Sequence, residues 1–293
     1  MDRFAASPLS RLCALAVCVM MLISAFGMFA KAYACMDAMR PARQTVAVVT
    51  AADTPNITAQ PQPTQTPPVF AITCTPVETQ RRYRVLIYHT HTYEAYLPDA
   101  DNPYALSGGS DRRTQDETQN VVAVGARLAQ QLETLGIEAV HDKTAFEPPK
   151  FGTAYLRSLD MLQERLENGE TYDLIIDLHR DTYYAQLWTP AAVTINGTES
   201  ARILFLIGDG EAGFSQKPNW QANKQKADAI ALELTQINPQ LCVDVLVKDQ
   251  RYNQHVSENA VLIEMGHCDN TLDSVLTSAD YLAQAIARSL KGN

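Results

Sequence analysis

From Arg81 onward, short apolar runs alternate with longer stretches of helical periodicity. That alternation restricts the fold more than any other feature, because strand-then-helix repetition builds a sheet with helices packed on it. Residues 84–88, RVLIY, read as a buried strand. Val121, Val124, Leu128, Leu132 and Leu135 recur at helical spacing, and Gly136 follows as a stop. Residues 138–141 read as a second strand, 155–166 as a helix, and 174–178, LIIDL, as a central strand. Residues 191–196 and 201–207 read as a β pair. A helix at 220–234, strands at 243–247 and 261–264 and an amphipathic helix at 272–290 complete the chain. The expected fold is α/β, a mixed and mostly parallel sheet flanked by helices. Active sites in such sheets lie at the C-terminal ends of the strands, so polar residues there are the functional candidates.

The N-terminal part is different. Residues 12–30, LCALAVCVMMLISAFGMFA, carry no charge, and about 20 apolar residues span a bilayer. Residues 1–35 are therefore expected to form a signal anchor, a single transmembrane segment. Ala32-Tyr33-Ala34 also fits the small-x-small rule for signal peptidase, which keeps a cleaved signal as the alternative. Residues 36–80 are rich in Pro, Thr and Gln without apolar periodicity, and read as a linker. Cys35 and Cys74 flank it; free thiols or a disulfide formed outside the cell are both open. The expected organisation is anchor, linker, and a catalytic domain over 81–293, exported from the cytoplasm.

Composition removes several classes. The net charge of -9 disfavours nucleic-acid binding. None of the six cysteines is spaced as CxxC, which argues against a thiolate zinc module. Walker A and G-x-S-x-G patterns are absent.

Three strands run into the same kind of chemistry. The first leads to His89-Thr90-His91-Thr92-Tyr93-Glu94, the second to His179-Arg180-Asp181, and the third ends in Glu264-Met265-Gly266-His267. Four of the six histidines lie at these positions, and histidine with carboxylate at strand ends points to metal-assisted hydrolysis. A catalytic zinc takes three protein ligands and keeps a fourth position open. His91 and Glu94, spaced H-x-x-E, and His179 make such a set. Asp116 and Glu117, just before the first long helix, are the alternative acidic ligands. Glu264 fits the general base that takes a proton from water and passes it to the leaving amine. His89 is expected behind the ligands. Arg180 either meets a substrate carboxylate or pairs with Asp181 or Asp177. His255 and His267 either contact substrate or sit on the surface, and His141 is structural.

The blocks VLIYHTHTYEAYLPD, NVVAVGARLAQQLETLGIEAVHDKT, IIDLHRDT and RYNQHVSENAVLIEMGHCDNT closely resemble the stage II sporulation protein P family. The resemblance runs from about Arg81 to the C-terminus, behind an anchor and linker as in the family. That family is similar to the zinc N-acetylmuramoyl-L-alanine amidases, whose zinc histidines match His91 and His179. Their E-x-G-x-x-x-N pattern matches Glu264, Gly266 and Asn270. The amidases place the acidic ligand before the first helix, which favours Asp116 or Glu117. Zinc carboxypeptidases place it as H-x-x-E, which favours Glu94. Tyr93-Glu94-Ala95 stands where the family more often has Thr-Glu-Ser.

The resemblance implies a membrane-anchored peptidoglycan hydrolase that uses Zn2+. It would cut the amide between N-acetylmuramic acid and L-alanine, with endopeptidase cleavage of cross-links besides, during engulfment in sporulation. It further implies stage II sporulation proteins D and M as partners. The location implied is the cell membrane, with the domain in the intermembrane space of a sporulating cell. Two other readings stay open: an inactive wall-binding scaffold, and a zinc peptidase acting only on stem peptides.

Overall fold

Strand β1 (Arg84–Tyr88) sends alternate side chains to two apolar layers. Val85 and Ile87 enter the larger core, while Leu86 and Tyr88 enter a smaller one on the other face. An unbroken apolar run is what a strand covered on both faces requires. The structure, a computed structural model, describes residues 82–100, 103–105 and 112–292. The expected membrane segment at 12–30, the Ala32-Tyr33-Ala34 motif, the linker at 36–80 and both Cys35 and Cys74 lie outside those residues. Among the described residues no helix is long and apolar enough to cross a membrane.

After β1 come α1 (Val121–Thr134), β2 (Glu138–His141), α2 (Ala154–Glu167) and β3 (Leu174–Asp181). A short helix α3 (Ala185–Trp188) precedes β4 (Ala192–Ile195), β5 (Thr198–Ala201) and β6 (Ile203–Gly208). Helix α4 (Trp220–Ile237), β7 (Cys242–Lys248), β8 (Ala260–His267) and α5 (Leu272–Lys291) follow. The main sheet has the order β2-β1-β3-β8-β6-β7. Every pairing in it is parallel except β6 with β8, so the sheet is mixed and mostly parallel.

Two local readings need correction. Apart from Ala192 with Ala201, residues 191–196 do not pair with 201–207. Asn196-Gly197, at φ 53° and 82°, closes a tight hairpin of β4 with β5. A two-residue turn with both φ positive favours Asn-Gly because its twist matches the strands. That releases β6 to pair with β8 in the main sheet. Strands β3 and β8 also run past Leu178 and Glu264, so His179, Arg180 and Asp181 lie within β3 rather than beyond it, and Glu264 lies inside β8 rather than at its end.

The larger core takes Leu174, Ile176 and Leu178 from β3 and Val261, Ile263 and Met265 from β8. Helices α1, α4 and α5 cover that face. With a side-chain period of two, Ile175, Asp177 and His179 turn to the opposite face, as do Leu262 and Glu264. That second face carries α2 and the smaller core. The polar residues of the central strands thus emerge on one face, next to α2.

Candidate active site

Thr90 fixes the turn after β1. Its backbone N–H and its hydroxyl donate to the two carboxylate oxygens of Asp177, at 2.8 and 2.7 Å. The turn presents His91, whose ring stacks on Phe151 at 4.1 Å and meets Tyr155 edge-on at 5.6 Å. The rings of His91 and His179 lie 5.5 Å apart, nearly perpendicular. Glu94, three residues further on, is buried and accepts the backbone N–H of Arg180 at 3.2 Å.

His179 stands between two carboxylates. Its Nδ1 is 3.2 Å from Glu94 and its Nε2 is 2.8 Å from Asp177, the second contact lacking a hydrogen bond's alignment. Burial alone would lower the imidazolium; Asp177 and Glu94 outweigh it and hold the ring charged well above the usual histidine range. Burial likewise pushes Glu94 up, but the charge on His179 and on Arg180 brings it well below the carboxylate range. Asp177 is lowered too, since His179 and the Thr90 donors prevail over burial.

Glu264 is the register partner of His179 across β3 and β8. It is 7% exposed, and its Oε2 has no hydrogen-bond partner among the described residues. Burial drives its carboxyl well above the ordinary value, against the opposing pull of His179. A buried carboxyl with a raised pKa and one oxygen uncommitted suits proton transfer.

The remaining candidates are spread differently. Asp181 accepts the Trp188 indole N–H at 2.9 Å and the Thr182 N–H at 2.7 Å, and burial raises its pKa. Arg180 spends its guanidinium on the Ala95 carbonyl at 3.0 Å and the Arg112 carbonyl at 3.1 Å, bracing the loop that carries Glu94. Asn270 accepts the His267 N–H at 2.8 Å and donates to the Ala191 carbonyl at 3.2 Å. It ties off the turn after β8, where Gly266 at φ 70° would place a Cβ 2.6 Å from the Asn270 side-chain oxygen. His89 is fully buried, with Nδ1 on the Leu178 carbonyl at 2.9 Å and Nε2 on His141 at 2.8 Å. It has no surface to offer a substrate. Asp116 and Glu117 are exposed, and Asp116 caps its own turn by accepting from Thr118 at 3.0 and 2.7 Å. His267 is buried against Trp188 and Tyr183, and His255 sits in the short turn Gln254–Val256.

Two neighbours escaped the sequence reading. Tyr155, on the first turn of α2, packs between the rings of His91 and His179. Glu147 lies against His91 from the loop between β2 and α2. The one sequence signal for Glu147 is an acid set between Phe146 and Pro148.

His91, Glu94 and His179 meet zinc's preference in type, two imidazoles and a carboxylate. The 3.2 Å between His179 Nδ1 and Glu94 is close to the separation of adjacent ligands that bonds of about 2.0–2.1 Å give in a tetrahedron. As the side chains stand, no three His, Cys, Asp or Glu among the described residues form a group that could hold a metal ion. His179 and Glu94 turn to one another instead. The donor set fits zinc, and the pairing between the donors balances their charges without it.

A sequence model of the family described as stage II sporulation protein P matches residues 40–287. The chain is 30% identical over 215 residues to stage II sporulation protein P of Bacillus subtilis (strain 168), covering 69% of this chain and 50% of that one. It therefore spans about half the length of this curated relative. Among solved structures, N-acetylmuramoyl-L-alanine amidase AmiC2 of Nostoc punctiforme aligns with a TM-score of 0.42 at 14% identity, covering 71% of this chain and 95% of that one. The CwlD amidase from Clostridioides difficile, solved with the GerS lipoprotein, aligns with a TM-score of 0.43 at 14% identity, covering 72% and 97%.

Proposed function

The chain belongs to the stage II sporulation protein P family, and from that premise and the geometry of the site we propose that it is a zinc-dependent peptidoglycan hydrolase. Its reaction is hydrolysis of the amide between N-acetylmuramic acid and the L-alanine of the stem peptide, with cross-link cleavage as a second activity. The observation that carries the reading is Glu264, buried beside His179 with an oxygen left uncommitted.

His91, Glu94 and His179 would hold the zinc. The chemistry such an ion supplies is polarisation of the scissile carbonyl and a water acidic near neutral pH. Burial alone keeps the Glu264 carboxyl neutral; the charge of a bound zinc would favour its carboxylate, which takes the proton from the attacking water while the water's oxygen bonds to the carbonyl carbon. The same carboxyl then gives that proton to the amide nitrogen as the C–N bond breaks. The products are a stem peptide with a free amino terminus and a glycan with a free lactyl carboxylate. Asp177 flanks His179 on the side away from Glu94 and holds its ring in place.

The proposal extends to location and partners. Residues 12–30 anchor the protein in the membrane, and the catalytic domain works outside the cytoplasm, in the intermembrane space of a sporulating cell. Stage II sporulation proteins D and M are its partners there.

The test is to incubate the full chain with purified peptidoglycan, with and without a chelator, and weigh the products by mass spectrometry. Release of free stem peptides that the chelator stops is the expected result. Cross-links cut with peptide still on the glycan would make the protein a stem-peptide peptidase. Stoichiometric zinc with no product from any wall preparation would make it a binding scaffold.

A further inference from the structure

We propose that Glu147 is a positioning residue for His91: its carboxylate accepts the ring Nδ1–H and so leaves Nε2 unprotonated to bind a metal. The inference rests on the reading of His91 as a metal ligand and adds a residue that neither its motif nor its spacing announces.

Glu147 is 6% exposed, and a carboxylate that deep needs compensating partners. Its three partners among the described residues all meet one oxygen. The Arg113 guanidinium donates to Oε1, the Tyr93 backbone N–H approaches it at 3.4 Å, and His91 Nδ1 lies 3.5 Å away. Among the described residues Glu147 is the one carboxylate within ion-pair distance of His91. The separation is long for a hydrogen bond, and among the described residues Nδ1 has no other partner. Such contacts shorten when the site is loaded.

Arg113 closes the arrangement. Its guanidinium, bonded to Glu147, also lies over the Phe151 ring at 5.0 Å, and Phe151 stacks on His91. The aromatic plate fixes the tilt of the imidazole and the carboxylate fixes its tautomer. That choice matters, because a neutral imidazole has one lone pair for a metal and the partner of its other nitrogen decides which. Without an acceptor at Nδ1, histidine favours the tautomer protonated on Nε2, which cannot bind through that atom.

The experiment uses full-length protein in detergent with nitrogen-15 in its histidines. There are six histidines in the chain, so each ring can be assigned. At pH 8 and free of metal, the His91 Nδ1 of the wild type should carry the proton. In Glu147→Leu it should pass to Nε2, and zinc affinity should fall about 10–100-fold. Glu147→Gln keeps an acceptor oxygen, so it should retain the Nδ1 proton and lose less affinity. An unprotonated Nδ1 in the wild type overturns the proposal, whether or not the leucine variant folds. So does a folded Glu147→Leu that keeps the wild-type tautomer, or zinc affinity within twofold. A wild type that binds no zinc would remove the metal reading, and the tautomer alone would then decide the role of Glu147.

Discussion

His179 and Glu264 are register partners across the parallel pairing of β3 with β8, so both side chains leave the same face of the sheet. Their apolar neighbours hold them there. Ile176 and Leu178 on β3, and Ile263 and Met265 on β8, fill the core on the other face. A slip of one residue between the strands would drive Glu264 into that core and bring Ile263 or Met265 out. The apolar alternation that builds the sheet therefore also sets the spacing of a histidine and a carboxyl.

Glu264→Gln tests the proton carrier directly. The amide is nearly isosteric, and the buried carboxyl already favours its neutral form, so the fold should be kept. Stoichiometric zinc should remain, while hydrolysis of peptidoglycan falls by about 10²–10⁴. Metal analysis beside a turnover assay reads both. Turnover near the wild-type rate would remove Glu264 from the role of base.

The acidic ligand can be chosen by comparing three variants. Glu94→Gln takes the charge from a buried carboxylate that touches His179. It should lower zinc affinity by tenfold or more and abolish chelator-sensitive hydrolysis. Asp116→Asn and Glu117→Gln change exposed side chains and should leave zinc affinity within about twofold. Competition against a chromophoric chelator measures all three. Loss of zinc in either of the latter two, with Glu94→Gln unaffected, would reverse the assignment.

Much of this architecture is legible in the sequence because burial writes a period. The nearly unbroken apolar runs RVLIY and LIIDL mark strands covered on both faces, and the spacing in α1 marks one apolar stripe. The ends of β3 and β8 were not legible. Polar residues normally signal a strand's end, yet here the ladder runs through His179 with Glu264 and, past a shift of register at Arg180, on to Asp181 with His267. Arg180 illustrates a second limit. Its charge suggests a ligand contact, but the guanidinium is taken up by two carbonyls far away in sequence, at Ala95 and Arg112. Glu147 illustrates a third, since its place depends on how a loop folds back over His91, and no local pattern encodes that.

The pair His89 and His141 predicts acid sensitivity of the fold. Burial, with the neighbouring His89 and Lys143, lowers His141 to about 3, against 6.5 in an unfolded chain. Below pH 6.5 the unfolded state thus binds the proton and the folded state refuses it. The stability from keeping this ring neutral is full above 6.5 and is lost progressively as the pH falls toward 3. His141→Leu should melt lower at pH 7.5, because His89 Nε2 loses its partner, yet its Tm should fall less steeply between pH 6.5 and 4.5. Parallel Tm curves for the two proteins would show that His141 contributes nothing to the acid slope.

Gly125 faces that same pair from inside α1, and two effects of opposite sign meet there. Exchanging a mid-helix glycine for alanine normally stabilises by about 1 kcal/mol through propensity. Here the added Cβ would stand 2.6 Å from the Nε2 atoms of both His89 and His141. Those nitrogens are bonded to each other at 2.8 Å, and His89 is also held by the Leu178 carbonyl, so neither ring can swing aside cheaply. Overpacking a tight core costs about 1–3 kcal/mol, so the clash should win and Gly125→Ala should unfold at lower urea. In a His141→Ala background one of the two clashes is gone and His89 loses the partner that pins its Nε2, so the same substitution should cost less. Urea titrations of the two single variants and the double variant give the coupling. Strict additivity of the two changes would mean that Gly125 is not there to admit the histidine pair.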